Sequence, residues 1–239
     1  MEPERPTLVL MPGLDGSGAL FAALEAAMAQ SWKHKTIRYP ADLPASIDAY
    51  AAYVEQAAES EQSIVLIAES FSGPIAIRAA SRLGHKAKAL ALCASFATQP
   101  HILVRWASRL PASLLASFAR QRWAMRWFCV GRRATEPVLR AVETELTRLS
   151  GNTIKRRLGM LVTPDVSRDL ASLDLPVLLL QPNRDRLLDP WAPKRLEQLA
   201  PAARIERLDG PHFLFQAEPQ ACWNRIANWL TLALTHARR

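Results

Sequence analysis

Residues 64–77 read Ile64-Val-Leu-Ile-Ala-Glu-Ser-Phe-Ser-Gly-Pro-Ile-Ala-Ile77. The first five are apolar at every position without alternation, which suits a strand buried on both faces of a parallel sheet. Apolar residues then recur at helical spacing from Ile75 to Leu83, ending near Gly84. Ala68-Glu69-Ser70-Phe71-Ser72 must therefore turn a strand into a helix at once. So tight a turn tolerates only small residues two positions either side of its apex, which Ala68 and Ser72 satisfy around Ser70. Taking Ser72 as the apex instead would put Pro74 at a small-residue position. A plain helix N-cap would also place a serine here, so the rest of the chain has to separate the two readings.

Outward from this turn, strands and helices alternate. Thr7 to Met11 is an apolar run stopped by Pro12-Gly13, and Lys35 to Tyr39 a weaker one stopped by Pro40. Ala87 to Cys93, Pro176 to Leu180 and Arg204 to Leu208 complete six expected strands. Helical spacing marks Ser46 to Glu59, with Ser46 as N-cap, and then Ala192 to Leu199 and Ala217 to Leu234. The pattern predicts an α/β fold, a doubly wound, mostly parallel six-stranded sheet. The chain of 239 residues, 49% hydrophobic and 22% charged, is long enough to bury roughly 70–75% of its unfolded surface around one core. Disorder, collagen and solenoid repeats are excluded by composition and the lack of a period.

Between the fourth and fifth strands lies a segment of another character. Residues 97–168 carry thirteen Arg and Lys against four acids, +9, while the whole chain is +8, leaving −1 elsewhere. Its helical stretches are expected around Ile102 to Leu110, Leu114 to Phe128, Val138 to Leu149 and Ile154 to Val162. The reading is of a core formed by residues 1–96 and 169–239 and a basic helical cap, 97–168. The cap's apolar residues, Trp106, Phe118, Trp123 and Trp127 among them, would either cover a pocket or pack a small core of their own. Arg122, Arg126, Arg156 and Arg157, with Trp123 and Trp127, are candidates for holding substrate or an acidic partner. A solvated basic face is the plainer alternative.

A serine becomes a nucleophile when an imidazole takes its proton and a carboxylate fixes that imidazole. After the fifth strand, Gln181-Pro-Asn-Arg-Asp185-Arg-Leu-Leu-Asp189-Pro places Asp185 in a loop. After the sixth, Leu208-Asp-Gly-Pro-His212-Phe places His212 before the last helix. Asp189, next to Pro190, reads as the cap of the following helix. His34, His85, His101 and His236 have no comparable setting. The glycine-rich loop Met11-Pro-Gly-Leu-Asp-Gly-Ser-Gly18 lacks both the G-K-[ST] of a nucleotide loop and the G-x-G-x-x-G of a dinucleotide one.

Taken in order, these motifs resemble the α/β-hydrolase superfamily: its nucleophile elbow, G-x-S-x-G, with Ala68 and Ser72 in place of the glycines, its acid loop and its histidine loop. The resemblance implies a catalytic triad Ser70, Asp185, His212 and an oxyanion hole from the backbone N–H groups of Leu14 and Phe71. Gly13 would let that chain approach, although Pro12 stands where the family often has His. It implies an acyl-enzyme serine hydrolase of compact, capped carboxylesterase or thioesterase type. Perhydrolysis, carbon–carbon cleavage and lyase chemistry run on the same scaffold. Small capped members acting on acyl-carrier-protein esters are similar in size and use basic caps, so an acyl carrier protein or coenzyme A is an expected partner or acyl donor. Lipid-surface docking by the Trp- and Arg-rich cap, or an inactive ligand-binding homologue, are the alternatives.

Neither cofactor nor metal is expected. Cys93, Cys129 and Cys222 form no C-x-x-C pair, which suits a reducing cytoplasm. Glu2 and Glu4 do not suit an export leader, and no run approaches the ~18 apolar residues of a membrane span. Nucleic acid is not expected, since no DNA- or RNA-binding signature accompanies the arginines.

Overall fold

The computed structural model describes residues 5–28 and 32–236; Glu2, Glu4 and the side chain of His236 lie outside that description. Six strands, β1 (Thr7–Met11), β2 (His34–Thr36), β3 (Ile64–Glu69), β4 (Ala87–Cys93), β5 (Val177–Pro182) and β6 (Arg204–Leu208), form one sheet in the order β2-β1-β3-β4-β5-β6. Every adjacent pair is parallel. The alternation of strand and helix requires this arrangement, because each parallel step needs a crossover.

Burial explains the unbroken apolar runs. Ile64, Leu66 and Ala68 of β3 face one apolar cluster, with Tyr50, Val54, Ile75 and Leu196 from the helices Ile47–Ala57, Ser72–Leu83 and Trp191–Leu199. Val65 and Ile67 face the other, with Phe21, Trp223, Ile226 and Leu230 from the helices on the opposite side. Strand order reverses between β1 and β3, so the loops leaving their C-terminal ends part to opposite sides of the sheet and open a crevice.

Two expected elements differ. The strand read as Lys35 to Tyr39 pairs only over His34–Thr36. Ile37 N–H still reaches Leu10 C=O at 2.8 Å, but Tyr39 N–H turns to Gly16 C=O, also 2.8 Å, so the chain leaves the sheet to brace the loop after β1. The helix read as Leu114 to Phe128 breaks where Gln121 is extended, giving Ala112–Ala119 and a second stretch from Arg122 that widens into a π-turn over Met125–Cys129.

The segment between β4 and β5 has a small core of its own, with Met125, Val130, Leu139, Val142 and Leu146 around Leu20 from the loop after β1. Phe213, next to His212, packs on the same cluster. The segment is thus seated on two loops at the C-terminal edge of the sheet.

Candidate active site

The turn after β3 holds Ser70 at φ 49°, a left-handed conformation that a residue with a Cβ adopts only under constraint. Three hydrogen bonds impose it. Ser70 N–H donates to Cys93 C=O at 2.9 Å, Gly73 N–H donates to Ser70 C=O at 2.9 Å, and Ser95 Oγ donates to the same carbonyl at 3.0 Å. An ordinary N-cap has extended backbone and offers its side chain to the helix; Ser70 does neither, and its hydroxyl points elsewhere.

That hydroxyl lies 2.8 Å from His212 Nε2, and His212 Nδ1 lies 2.7 Å from Asp185 Oδ2. Ser70 and His212, 142 positions apart in the chain, meet Asp185 because β3, β5 and β6 all end at one edge of the sheet. Asp185 Oδ1 accepts from the backbone N–H groups of Leu187, 2.8 Å, and Leu188, 3.0 Å, which fixes the carboxylate and leaves Oδ2 for the imidazole. With its proton on Nδ1 toward the carboxylate, the ring presents the Nε2 lone pair to Ser70. Burial by itself would depress the His212 pKa; the Asp185 charge and hydrogen bond outweigh it and raise the pKa above its usual value. Burial likewise opposes the Asp185 charge, but the imidazole and the two backbone donors hold its pKa below the usual carboxylate range.

The loop after β1 runs beside this group. Ser72 Oγ donates to Pro12 C=O and lies 2.8 Å from Tyr39 Oη, so the tyrosine donates to the serine and the elbow helix grips the loop. Among the described residues, neither Leu14 N–H nor Phe71 N–H has an acceptor. Gly13 is not where the loop needs a glycine, since a Cβ there would meet Asp15 and Glu69 at ordinary contact distance. The need lies at Gly16, where φ is 68° and a Cβ would overlap the Arg157 guanidinium.

Several assignments made from sequence change here. Arg157, nominated for an acidic partner, is 2% exposed and donates to Leu14 and Asp15 C=O, each at 2.7 Å, to Tyr50 Oη at 3.2 Å and to Tyr39 C=O at 3.3 Å. Arg156 is spent on the carbonyls of Ala41, Asp42 and Leu43. Arg122 pairs with Glu136 and Glu143, and Arg126 with Glu136, because the helix Glu136–Arg148 brings those acids alongside. Trp123 and Trp127 remain exposed. Asp189 does not cap its helix with its side chain; it receives Ile102 N–H at 2.9 Å and sits 3.1 Å from His101 Nε2, tying the acid loop to the segment.

Residues the sequence reading passed over also gather here. Glu69, Gln216 and Asp15 are buried beside the triad, and Gln216 Nε2 donates to Glu69 Oε2 at 3.3 Å. Burial, with Asp15 adding to it, pushes the Glu69 carboxyl up to about 8, so it is mostly protonated at neutral pH. Its only sequence signal is an acid at the end of an otherwise apolar strand. Ser95 and Gly73 form the other overlooked contact: a Cβ on Gly73 would overlap Ser95 Oγ and stand 2.9 Å from its Cβ. Gly73→Ala is expected to force Ser95 off the Ser70 carbonyl and lower stability by about 1–3 kcal/mol in denaturant titrations. Gly159→Ala, with open space around the added methyl, is the control expected to be neutral or slightly stabilising.

A cavity of about 460 Å³ lies behind the acid and histidine loops, lined by Trp127, Gly131, Arg186 and Pro211 among others. It does not include Ser70, so it is not the cleft over the nucleophile. Among the described residues, no group of His, Cys, Asp and Glu is arranged to hold a metal ion, and no helix is long and apolar enough to cross a membrane.

Residues 8–225 match the model of the Alpha/beta hydrolase family. Among solved structures, the chain is similar to the enol-lactonase from Burkholderia xenovorans LB400, with a TM-score of 0.82 at 18% identity over 96% of this chain and 92% of that one. It is similar to bromoperoxidase from Bacillus anthracis, TM-score 0.79 at 14% identity, covering 95% and 92% of the two chains. A lipase-esterase related protein from Clostridium acetobutylicum ATCC 824 gives a TM-score of 0.73 at 15% identity over 94% of each chain. No curated protein sequence matches at a significant level.

Proposed function

We propose that this chain, which belongs to the alpha/beta hydrolase family, is a serine hydrolase that cleaves a carboxylic ester or thioester through an acyl-enzyme on Ser70. The observation that carries the reading is the unbroken relay from Ser70 Oγ to His212 Nε2, 2.8 Å, and from His212 Nδ1 to Asp185 Oδ2, 2.7 Å.

The chemistry follows from that relay. As Ser70 Oγ forms its bond to the substrate carbonyl carbon, its proton passes to His212 Nε2, and Asp185 stabilises the imidazolium. The carbonyl oxygen becomes an oxyanion, for which the unpaired N–H groups of Leu14 and Phe71 are the nearby donors. Collapse expels the alcohol or thiol, protonated by His212. Water then enters by the same route in reverse, with His212 as base, and releases the acid. Glu69, held neutral, adds no second negative charge beside the imidazole.

A substrate on an acyl carrier protein has less support than the sequence suggested, since Arg122, Arg126, Arg156 and Arg157 are all engaged inside the chain. Acyl length and leaving group are to be read from a series of p-nitrophenyl esters and acyl thioesters. The reading is tested by a fluorophosphonate probe with peptide mapping: a single adduct on Ser70 and turnover of at least one ester series are expected. An unlabelled protein with no turnover would leave only an inactive ligand-binding homologue.

His212 must be neutral to accept a proton, so kcat/KM should rise with pH along a limb centred above the usual imidazole range, where the Asp185 carboxylate holds its pKa. In Asp185→Asn the carboxylate no longer favours the imidazolium, so the limb should move to lower pH while the plateau falls. A limb that stays in place in that variant would detach Asp185 from the relay.

A further inference from the structure

Of the eleven large apolar side chains exposed among the described residues, eight fall within residues 102–127. Trp106 is 65% exposed, Trp123 61% and Leu103 60%, with Leu114, Phe118 and Trp127 also open to solvent. These are not isolated positions. Phe118 and Trp123 meet edge to face at 5.8 Å, and Trp127 lies beneath the Arg186 guanidinium at 4.0 Å, beside Leu187, which is itself exposed. Ile102 is bonded to Asp189 of the same loop. Both ends of this apolar stretch, Ile102 and Trp127, thus meet the loop that carries Asp185.

We infer that this face is a docking surface for an anionic lipid surface, on which the segment lies with its tryptophans at headgroup depth. A folded chain keeps so concentrated an apolar patch out of water only if something covers it, and the charges around it say what. Residues 97–135 contain seven arginines, Arg105, Arg109, Arg120, Arg122, Arg126, Arg132 and Arg133, and no Asp or Glu. Two of them, Arg122 and Arg126, are neutralised by Glu136 and Glu143; the other five, Arg105, Arg109, Arg120, Arg132 and Arg133, are exposed and have no carboxylate at ion-pairing distance among the described residues. A second copy packed on this face about a twofold axis would set one arginine-rich patch against another. An anionic bilayer offers the opposite sign together with an apolar layer at the depth of the rings. Arg109 over the Trp106 ring, 5.6 Å, is the same pairing of cation and indole, already formed. This inference rests on exposure and charge and goes beyond the proposed hydrolase reading, which can fail without it.

The full chain is to be co-sedimented with vesicles of phosphatidylcholine alone and of an equal mixture of phosphatidylcholine and phosphatidylglycerol, each at low and high salt. Binding to the mixed vesicles that weakens with salt is expected, with little on phosphatidylcholine alone. Trp106→Ser with Trp123→Ser should weaken that binding at least ~10-fold without moving the thermal midpoint, because both rings are exposed. Arg105→Gln with Arg109→Gln should erase the preference for the mixed vesicles. Failure to bind either vesicle overturns the inference. A dimer in sedimentation equilibrium that becomes monomeric in the double tryptophan variant also overturns it, by showing that a second copy covers the face.

Discussion

Ser70→Ala should lower ester turnover by at least ~10⁴-fold, and His212→Ala by about as much, while the double variant should be no worse than either. That non-additivity is the signature of two groups acting as one: once the imidazole has no hydroxyl to deprotonate, its removal takes nothing further away. Binding of substrate and the amides beside it survive in all three variants, so KM should change far less than kcat. Initial rates on a p-nitrophenyl ester, with contaminating activity measured on the fluorophosphonate-treated wild type, provide the comparison. A Ser70→Ala protein retaining a tenth of wild-type turnover would remove the nucleophile from the mechanism.

The same position separates activity from stability. Ser70 is held at φ 49° by hydrogen bonds from its N–H to Cys93 and onto its C=O from Ser95 and Gly73. A left-handed non-glycine residue costs of order 1 kcal/mol, which glycine does not incur. Ser70→Gly should therefore be inactive and yet slightly more resistant to denaturant than Ser70→Ala.

What could be read from sequence, and what could not, divides along a physical line. The strands β3, β4 and β5 hold unbroken apolar runs, Ile64 to Ala68, Ala89 to Cys93 and Val177 to Leu180, and only a sheet covered on both faces accommodates that, so the architecture follows from residues such as these. Ser70, Asp185 and His212 could be nominated together because each follows the C-terminal end of a strand, and the structure brings the three side chains within hydrogen-bond distance. The loop after β1 was legible as a glycine-rich turn, but not which glycine matters. Gly16 is required by an arginine 141 positions later in the chain, a long-range contact that local pattern does not encode. The arginines were misassigned for the same reason: charge density along the chain says how much positive charge there is, not where the helix Glu136–Arg148 will lay its carboxylates. Glu69 and Gln216 escaped because a single polar residue in an apolar run reads as noise until its burial is known.

Arg157→Met should destabilise the fold more than Gly73→Ala does and should also slow the chemistry in the molecules that remain folded. The guanidinium has no carboxylate partner within ion-pairing distance among the described residues; its charge is met by three backbone carbonyls and a phenol. Methionine fills much of the volume but strands those acceptors in the interior, each unmet group costing about 1–3 kcal/mol, so a loss of about 3 kcal/mol or more is expected. Arg157→Lys should recover only part of it, since an ammonium on a flexible stem lacks the planar fork that reaches Leu14 and Asp15 together. The consequence for catalysis is separate. Leu14 C=O and Asp15 C=O belong to the two peptide groups that follow the Leu14 N–H along the loop after β1, so releasing them frees the Leu14 N–H to wander, and a displacement of about 1 Å at such a donor can cost ~10²-fold in rate. Steady-state kinetics below the onset of unfolding, normalised to folded protein, should then show kcat reduced with KM nearly unchanged. If turnover per folded molecule equals wild type, Arg157 only fastens the helix Gly151–Met160 to the core. If it falls as expected, the basic segment does more than cover the sheet: one of its arginines sets the loop against which the oxyanion forms.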